Sequence, residues 1–339
     1  MSKQMLSLGI SFLLVIFTNI ISFNAFAQET VNVYSARIEK LIKPAFDAFT
    51  EKTGIKVVYL TAKEAVLLER LKAEGKHTNA DLLITVDAGN LWLATQEGVL
   101  QSVQSQVLNK QVPASLRDPG NQWFGLTIRA RTIVYSKDRV QPAELSTYAA
   151  LGDPKWKDRL CLRTSKKVYN KSLVATMIKS LGKDKTEEIV GGWVNNNARI
   201  MPKDSSLLKA IAAGKCDVGI ANTYYLGREL AKNPDFPVAL YWANQNDRGV
   251  HINISGAGVT KYAKNKNNAI KLLEFLSSEE AQNLFADDNM EFPVNPGVKP
   301  SEKLVRWWGG SFKADSVNVA AAGEYQKSAV QLMATLGYK

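Results

Sequence analysis

The sequence predicts an α/β fold built as two lobes on a hinge, and three observations carry that expectation. Segments with strand and helix patterns alternate through nearly the whole chain, which pairs a sheet with covering helices. At 339 residues the chain has room for two domains of ordinary size. One run, Trp123 to Tyr135, reads as a strand long enough to cross between domains, and no obvious linker separates the halves.

The elements follow in order. Val31 to Tyr34 reads as a short buried strand, with Ser35 able to cap what comes next. Ile38, Ile42, Ala45, Phe46 and Phe49 recur at helical spacing; Gly54 ends that helix, and Pro44 predicts a late start or a bend. Strands at Ile55–Leu60 and Asp81–Val86 alternate with helices at Ala65–Glu74 and Ala88–Gln96. Such a run predicts a parallel sheet with binding loops at the strand C-ends. Beyond the long strand come a loop at Asp153-Pro154, a strand at Arg159–Arg163, and helices near Ser172–Leu181 and Thr186–Asn195. A helix at Leu207–Ala213 is closed by Gly214; the strand Asp217–Ala221 and the helix Leu226–Lys232 follow. Gly249 to Val259 is strand-like, Asn268 to Phe285 is a helical pair broken at Ser277-Ser278, and the tail from Leu304 is helical.

Composition narrows the partners. The formal charge of +11 admits nucleic acid, an acidic membrane or an anionic ligand. The N-terminus selects among them. Lys3, the apolar stretch Leu6 to Phe17 and the small-x-small triplet Ala25-Phe26-Ala27 predict a signal peptide over residues 1–27. Thr18-Asn19 break the stretch too early for a spanning helix, and no later run is long enough to span. Removing the peptide leaves 312 residues with a charge of +10, and export argues against a nucleic-acid partner. In an oxidising compartment Cys161 and Cys216 are expected to form one disulfide, worth about 4 kcal/mol in the chain-entropy model; the alternative is two buried thiols.

Enzyme signatures are missing. The sequence holds no GxSxG elbow, no GxGxxG and no P-loop, and its two histidines are far apart. Pairs such as Glu187-Glu188, Glu279-Glu280 and Asp287-Asp288 lie in polar stretches and read as solvated surface. A secreted transferase or hydrolase is therefore the weakest reading. More informative is Asn222-Thr223-Tyr224-Tyr225, between a buried strand and a helix, where both hydroxyls can converge on a cleft or pack in a core. Tyr169 follows another strand in the same way. Arg129 and Arg131, two apart on the long strand, share a face, either toward an anion or toward solvent.

The mature chain resembles the periplasmic ferric-iron-binding proteins of bacterial ABC importers, the bacterial transferrins. The segments that carry the resemblance are Val31-Asn32-Val33-Tyr34-Ser35-Ala36-Arg37, Ala80-Asp81-Leu82-Leu83 with Val86-Asp87, and Trp123-Phe124-Gly125-Leu126 through Arg129-Ala130-Arg131. Others are Cys161-Leu162-Arg163-Thr164-Ser165, Tyr169-Asn170, Asn222-Thr223-Tyr224-Tyr225, Asn253-Ile254-Ser255-Gly256 and Glu291-Phe292-Pro293-Val294. The resemblance implies a type II-like periplasmic-binding fold with hinge-crossing strands that closes on Fe(III). It implies metal ligation by Tyr224 and Tyr225 and, as in the three-tyrosine branch, by Tyr169. An arginine of the Arg129–Arg131 segment would hold a synergistic anion such as carbonate.

Expected lobes are 28–128 plus about 252–293, and about 129–251 plus 294–339. The expected partner is an inner-membrane ABC permease served by a periplasmic monomer. One departure stands out: where many relatives place a first-lobe His or Tyr ligand, this chain has Ile38 and Glu39. His251 reads as structural. The competing function is a receptor for a small anion such as phosphonate or sulfate, motivated by the basic balance and the two arginines.

Overall fold

The computed structural model describes residues 28–339, apart from the side chains of 285–288. The expected signal peptide lies outside the described residues. Among the described residues there are ten strands: β1 Thr30–Ser35, β2 Lys56–Thr61, β3 Leu82–Val86, β4 Phe124–Ser136 and β5 Leu160–Arg163, then β6 Arg199–Met201, β7 Val218–Asn222, β8 Val238–Tyr241, β9 Ile252–Val259 and β10 Phe292–Pro293. Their order is β2-β1-β3-β9-β4-β7-β5-β6, with β8 and β10 also paired to β4.

The long strand is the join. Phe124 to Ala130 pairs with β9 on one side, whereas Arg131 to Tyr135 pairs with β7 on the other. The change of partner falls between Ala130 and Arg131, inside the arginine pair. Parallel pairs (β1 with β2 and β3, β5 with β6 and β7) make up the outer parts, and antiparallel β4 and β9 run through the middle. β9 approaches β4 closely, and Gly256 permits it: a Cβ there would lie 2.6 Å from Phe124 O.

Most expected elements are present, with shifted ends. The first helix is Glu39–Thr53; it runs through Pro44 and ends on Gly54 in the left-handed region, φ 72°. Ser278 separates helices Lys266–Leu276 and Glu279–Asn289, its hydroxyl accepting from the amide of Ala281. The short strands β6, β8 and β10, each of four residues or fewer, carry too little periodicity to be read in advance. Strand β3 is almost wholly buried, as expected for one covered on both faces, whereas β2 exposes Val58 and Leu60 at the sheet edge. A second, smaller apolar cluster, including Val134, Leu207, Ile211 and Leu226, surrounds the Cys161–Cys216 disulfide.

Candidate metal centre

Both tyrosine segments lie where a strand ends. β7 closes at Asn222 and a helix, Thr223–Lys232, begins at once, so Tyr224 and Tyr225 occupy its first turn. β5 closes at Arg163, and after a short turn the helix Val168–Leu181 carries Tyr169 in its first turn. Sequence patterning starts both helices later, at Leu226 and Ser172. Lys167 is not a capping residue type, and Asn222, which is one, makes no side-chain capping bond.

The three phenols converge. The rings of Tyr224 and Tyr225 lie 4.4 Å apart, tilted by 35°. Burial pushes the Tyr224 phenol well above its ordinary range, and the neighbouring Tyr169 and Tyr225 push it further, while Arg129 pulls it down. Cations surround the group. The Arg163 guanidinium lies 5.3 Å from the centre of the Tyr169 ring and Lys167 Nζ 4.7 Å from it; Arg228 lies 5.0 Å from the Tyr224 ring.

The two arginines are not equivalent. Arg129 Nε donates to Glu291 Oε1 at 3.1 Å, and its Nη2 donates to Ser255. Burial alone would lower the Arg129 pKa, but Glu291, Tyr169, Tyr224 and Asp87 together raise it. Arg131 is 2% exposed and bonds in the opposite direction, to Asp204, Asn170, Asn222 and the carbonyl of Ile220. Both line one small cavity with Tyr169 and Asn222.

Other residues contribute that sequence reasoning did not single out. Arg37 Nη1 donates to Glu291 Oε2 at 3.0 Å, so Glu291 bridges two buried guanidiniums. Asp204, fully buried, pairs with Arg131 and Arg163. Arg228 was legible, because it follows Tyr224 by four residues on one helix face. Glu291 falls within a segment that carries the resemblance, but its spacing gives no sign of its partners, and neither does that of Asp204; those partners are distant in the chain.

The first lobe's departure persists. Ile38 is 62% exposed, and exposed Glu39 accepts from the Tyr59 hydroxyl at 2.8 Å. His251 is buried with Nδ1 2.9 Å from Thr176 Oγ1, and burial, then Arg248 and Arg131, pull its pKa down to about 3. It is neutral and set in the packing between strands and helix. Among the described residues no group of three or more His, Cys, Asp or Glu converges on a metal position. Phenol oxygens are the oxygen donors gathered at these two strand ends.

A sheet pair joined by shared strands, with polar groups gathered at strand C-ends, defines a solute-binding protein. The chain belongs to that family: residues 77–310 match the model described as bacterial extracellular solute-binding protein. It is 41% identical to iron uptake protein A1 of Synechocystis sp., over 92% of this chain and 88% of the relative. The solved Trichodesmium IdiA (FutA), in complex with iron and citrate ligands, is 44% identical, with a TM-score of 0.88 over 91% of this chain and all (100%) of that one. The ferric iron-binding protein A of Mannheimia haemolytica, in an open conformation, is 38% identical with a TM-score of 0.86, covering 91% and 99%.

Proposed function

We propose that the protein captures Fe(III) together with a small anion such as carbonate and delivers it to an ABC permease of the inner membrane. It acts as a periplasmic monomer released from a signal peptide over residues 1–27, and it has no catalytic role. Tyr169, Tyr224 and Tyr225 ligate the metal. The lobes are 28–128 plus about 252–293 and about 129–251 plus 294–339, with the cleft between them.

One observation carries this reading: three phenols from two distant segments meet at strand ends among cations. Three phenolates neutralise the charge of Fe(III) and leave positions for an anion. A bound cation favours the ionised phenol, reversing the effect of burial on Tyr224. Ligand binding therefore releases protons, and ferric affinity rises with pH. Arg129 is the arginine suited to the anion, since Arg131 has its donors occupied within the protein. A phosphonate or sulfate receptor needs N–H and O–H donors and does not need three clustered phenols.

Protein loaded with ferric salt should show a visible tyrosinate-to-iron charge-transfer band. Tyr224→Phe and Tyr225→Phe should each weaken that band and lower ferric affinity by more than the roughly 10- to 100-fold typical of losing an outer-sphere partner. Wild-type affinity in both variants, or binding of sulfate with all iron chelated, would overturn the reading.

A further inference from the structure

We infer that Arg131 is not an anion ligand but a positioning residue, which fixes the Tyr169 segment against the Tyr224–Tyr225 segment. The inference rests on the tyrosines' ligating Fe(III). Its basis is donor arithmetic. A guanidinium has five N–H groups and no acceptor. Arg131 spends Nε on Asn170 Oδ1 (3.1 Å), Nη1 on Asp204 Oδ1 (2.9 Å) and Asn222 Oδ1 (3.0 Å), and Nη2 on Asn170 Oδ1 (2.7 Å) and Ile220 O (3.1 Å). Those five bonds leave nothing for an anion.

The choice of acceptors gives the role. Asn170 directly follows Tyr169, and Asn222 closes β7 two residues before Tyr224. One rigid, charged fork therefore holds both segments at once, from a strand that belongs to neither. It also sets which way each amide points. Because a guanidinium only donates, both Oδ1 atoms must face it, and both Nδ2 groups must face away. Asn170 Nδ2 then donates to the carbonyls of Arg163 and Thr164 and to the Tyr338 hydroxyl, fastening the turn that presents Tyr169. Asn222 Nδ2 points at the Tyr224 oxygen, 3.3 Å away. Asp204 balances the buried charge and pairs with Arg163 as well, the arginine that lies against Tyr169.

The test compares Arg131→Lys, Asn222→Ala and Arg129→Lys, each loaded with ferric salt in bicarbonate. An ammonium keeps the charge beside Asp204 but cannot span both asparagines. Arg131→Lys should lose about 10- to 100-fold in ferric affinity, measured by competition with citrate, and shift the charge-transfer band, with a bicarbonate dependence like that of wild type. Arg129→Lys should change that dependence. Asn222→Ala removes one donor from the Tyr224 oxygen and should move the band to longer wavelength while thermal unfolding stays cooperative. This second variant keeps the inference open to refutation if Arg131→Lys folds poorly. Recovery of Arg131→Lys by excess bicarbonate would overturn the inference by making Arg131 an anion ligand. So would wild-type bands in both Arg131→Lys and Asn222→Ala. A wild type that lacks the band would remove the tyrosine reading, and this inference with it.

Discussion

Glu291 shows how much one carboxylate can hold. It is 6% exposed and lies between Arg37 and Arg129, whose guanidiniums would otherwise repel each other in a buried space. Burial alone would raise its pKa, but Arg37, Arg129 and the Thr127 hydroxyl hold it below the usual range. A carboxylate depressed in the folded state contributes stability above its unfolded pKa and loses it as pH falls through the folded value. Glu291→Gln should therefore cost about 3–5 kcal/mol at neutral pH, read by denaturant unfolding. The gap to wild type should narrow as pH falls below about 4. A constant gap across that range would show that the pair is not ionic. No spacing rule pairs Glu291 with these arginines, since Arg37 and Arg129 stand 254 and 162 positions away.

At the scale of the element, the strand that ends in Arg163 is tied by its disulfide. Cys161 on β5 bonds to Cys216, just before β7, across a separation of 55 residues. The pairing was legible from export and from the presence of only two cysteines. Replacing both with Ala should lower stability by about 4 kcal/mol on chain entropy, visible as a lower denaturant midpoint with an altered slope. An unchanged midpoint would place the stabilisation elsewhere. Helix starts were less legible than strands. Tyr169 and the Tyr224–Tyr225 pair lie inside first turns because tertiary bonds fix Asn170 and Asn222. A capping rule cannot see those bonds.

For the whole molecule, β4 and β9 link the two parts, and Asp87 makes a further tie beside them. Asp87 has φ 77°, a left-handed conformation uncommon for a residue with a side chain, and the contacts of its carboxylate show why it is kept. It accepts from the Gly89 amide, from the Asn253 amide on β9 and from Ser172 on the helix that carries Tyr169. If the two lobes hinge about this region, ferric loading should reduce the radius of gyration seen by small-angle scattering, and Tyr225→Phe should abolish the change. An iron-loaded wild type with the apo dimension would mean that the metal sits on one lobe without closure. Ile38, which has no donor atom, and Glu39, whose carboxylate accepts from the Tyr59 hydroxyl, make that comparison informative.

The sequence by itself determined the alternation of strand and helix, the long crossing strand and the pairing of the two cysteines. Each is a local pattern or a pairing of rare residues, readable wherever hydrophobic period or residue type is enough. Only the tertiary structure decided which arginine does what. Arg129 and Arg131 are indistinguishable as neighbours on one strand face. They separate because β4 changes partner between them, turning one toward Glu291 and the other toward Asp204, Asn170 and Asn222. A guanidinium buried in a protein takes its role from the acceptors that reach it, and those come from chain segments far away in sequence.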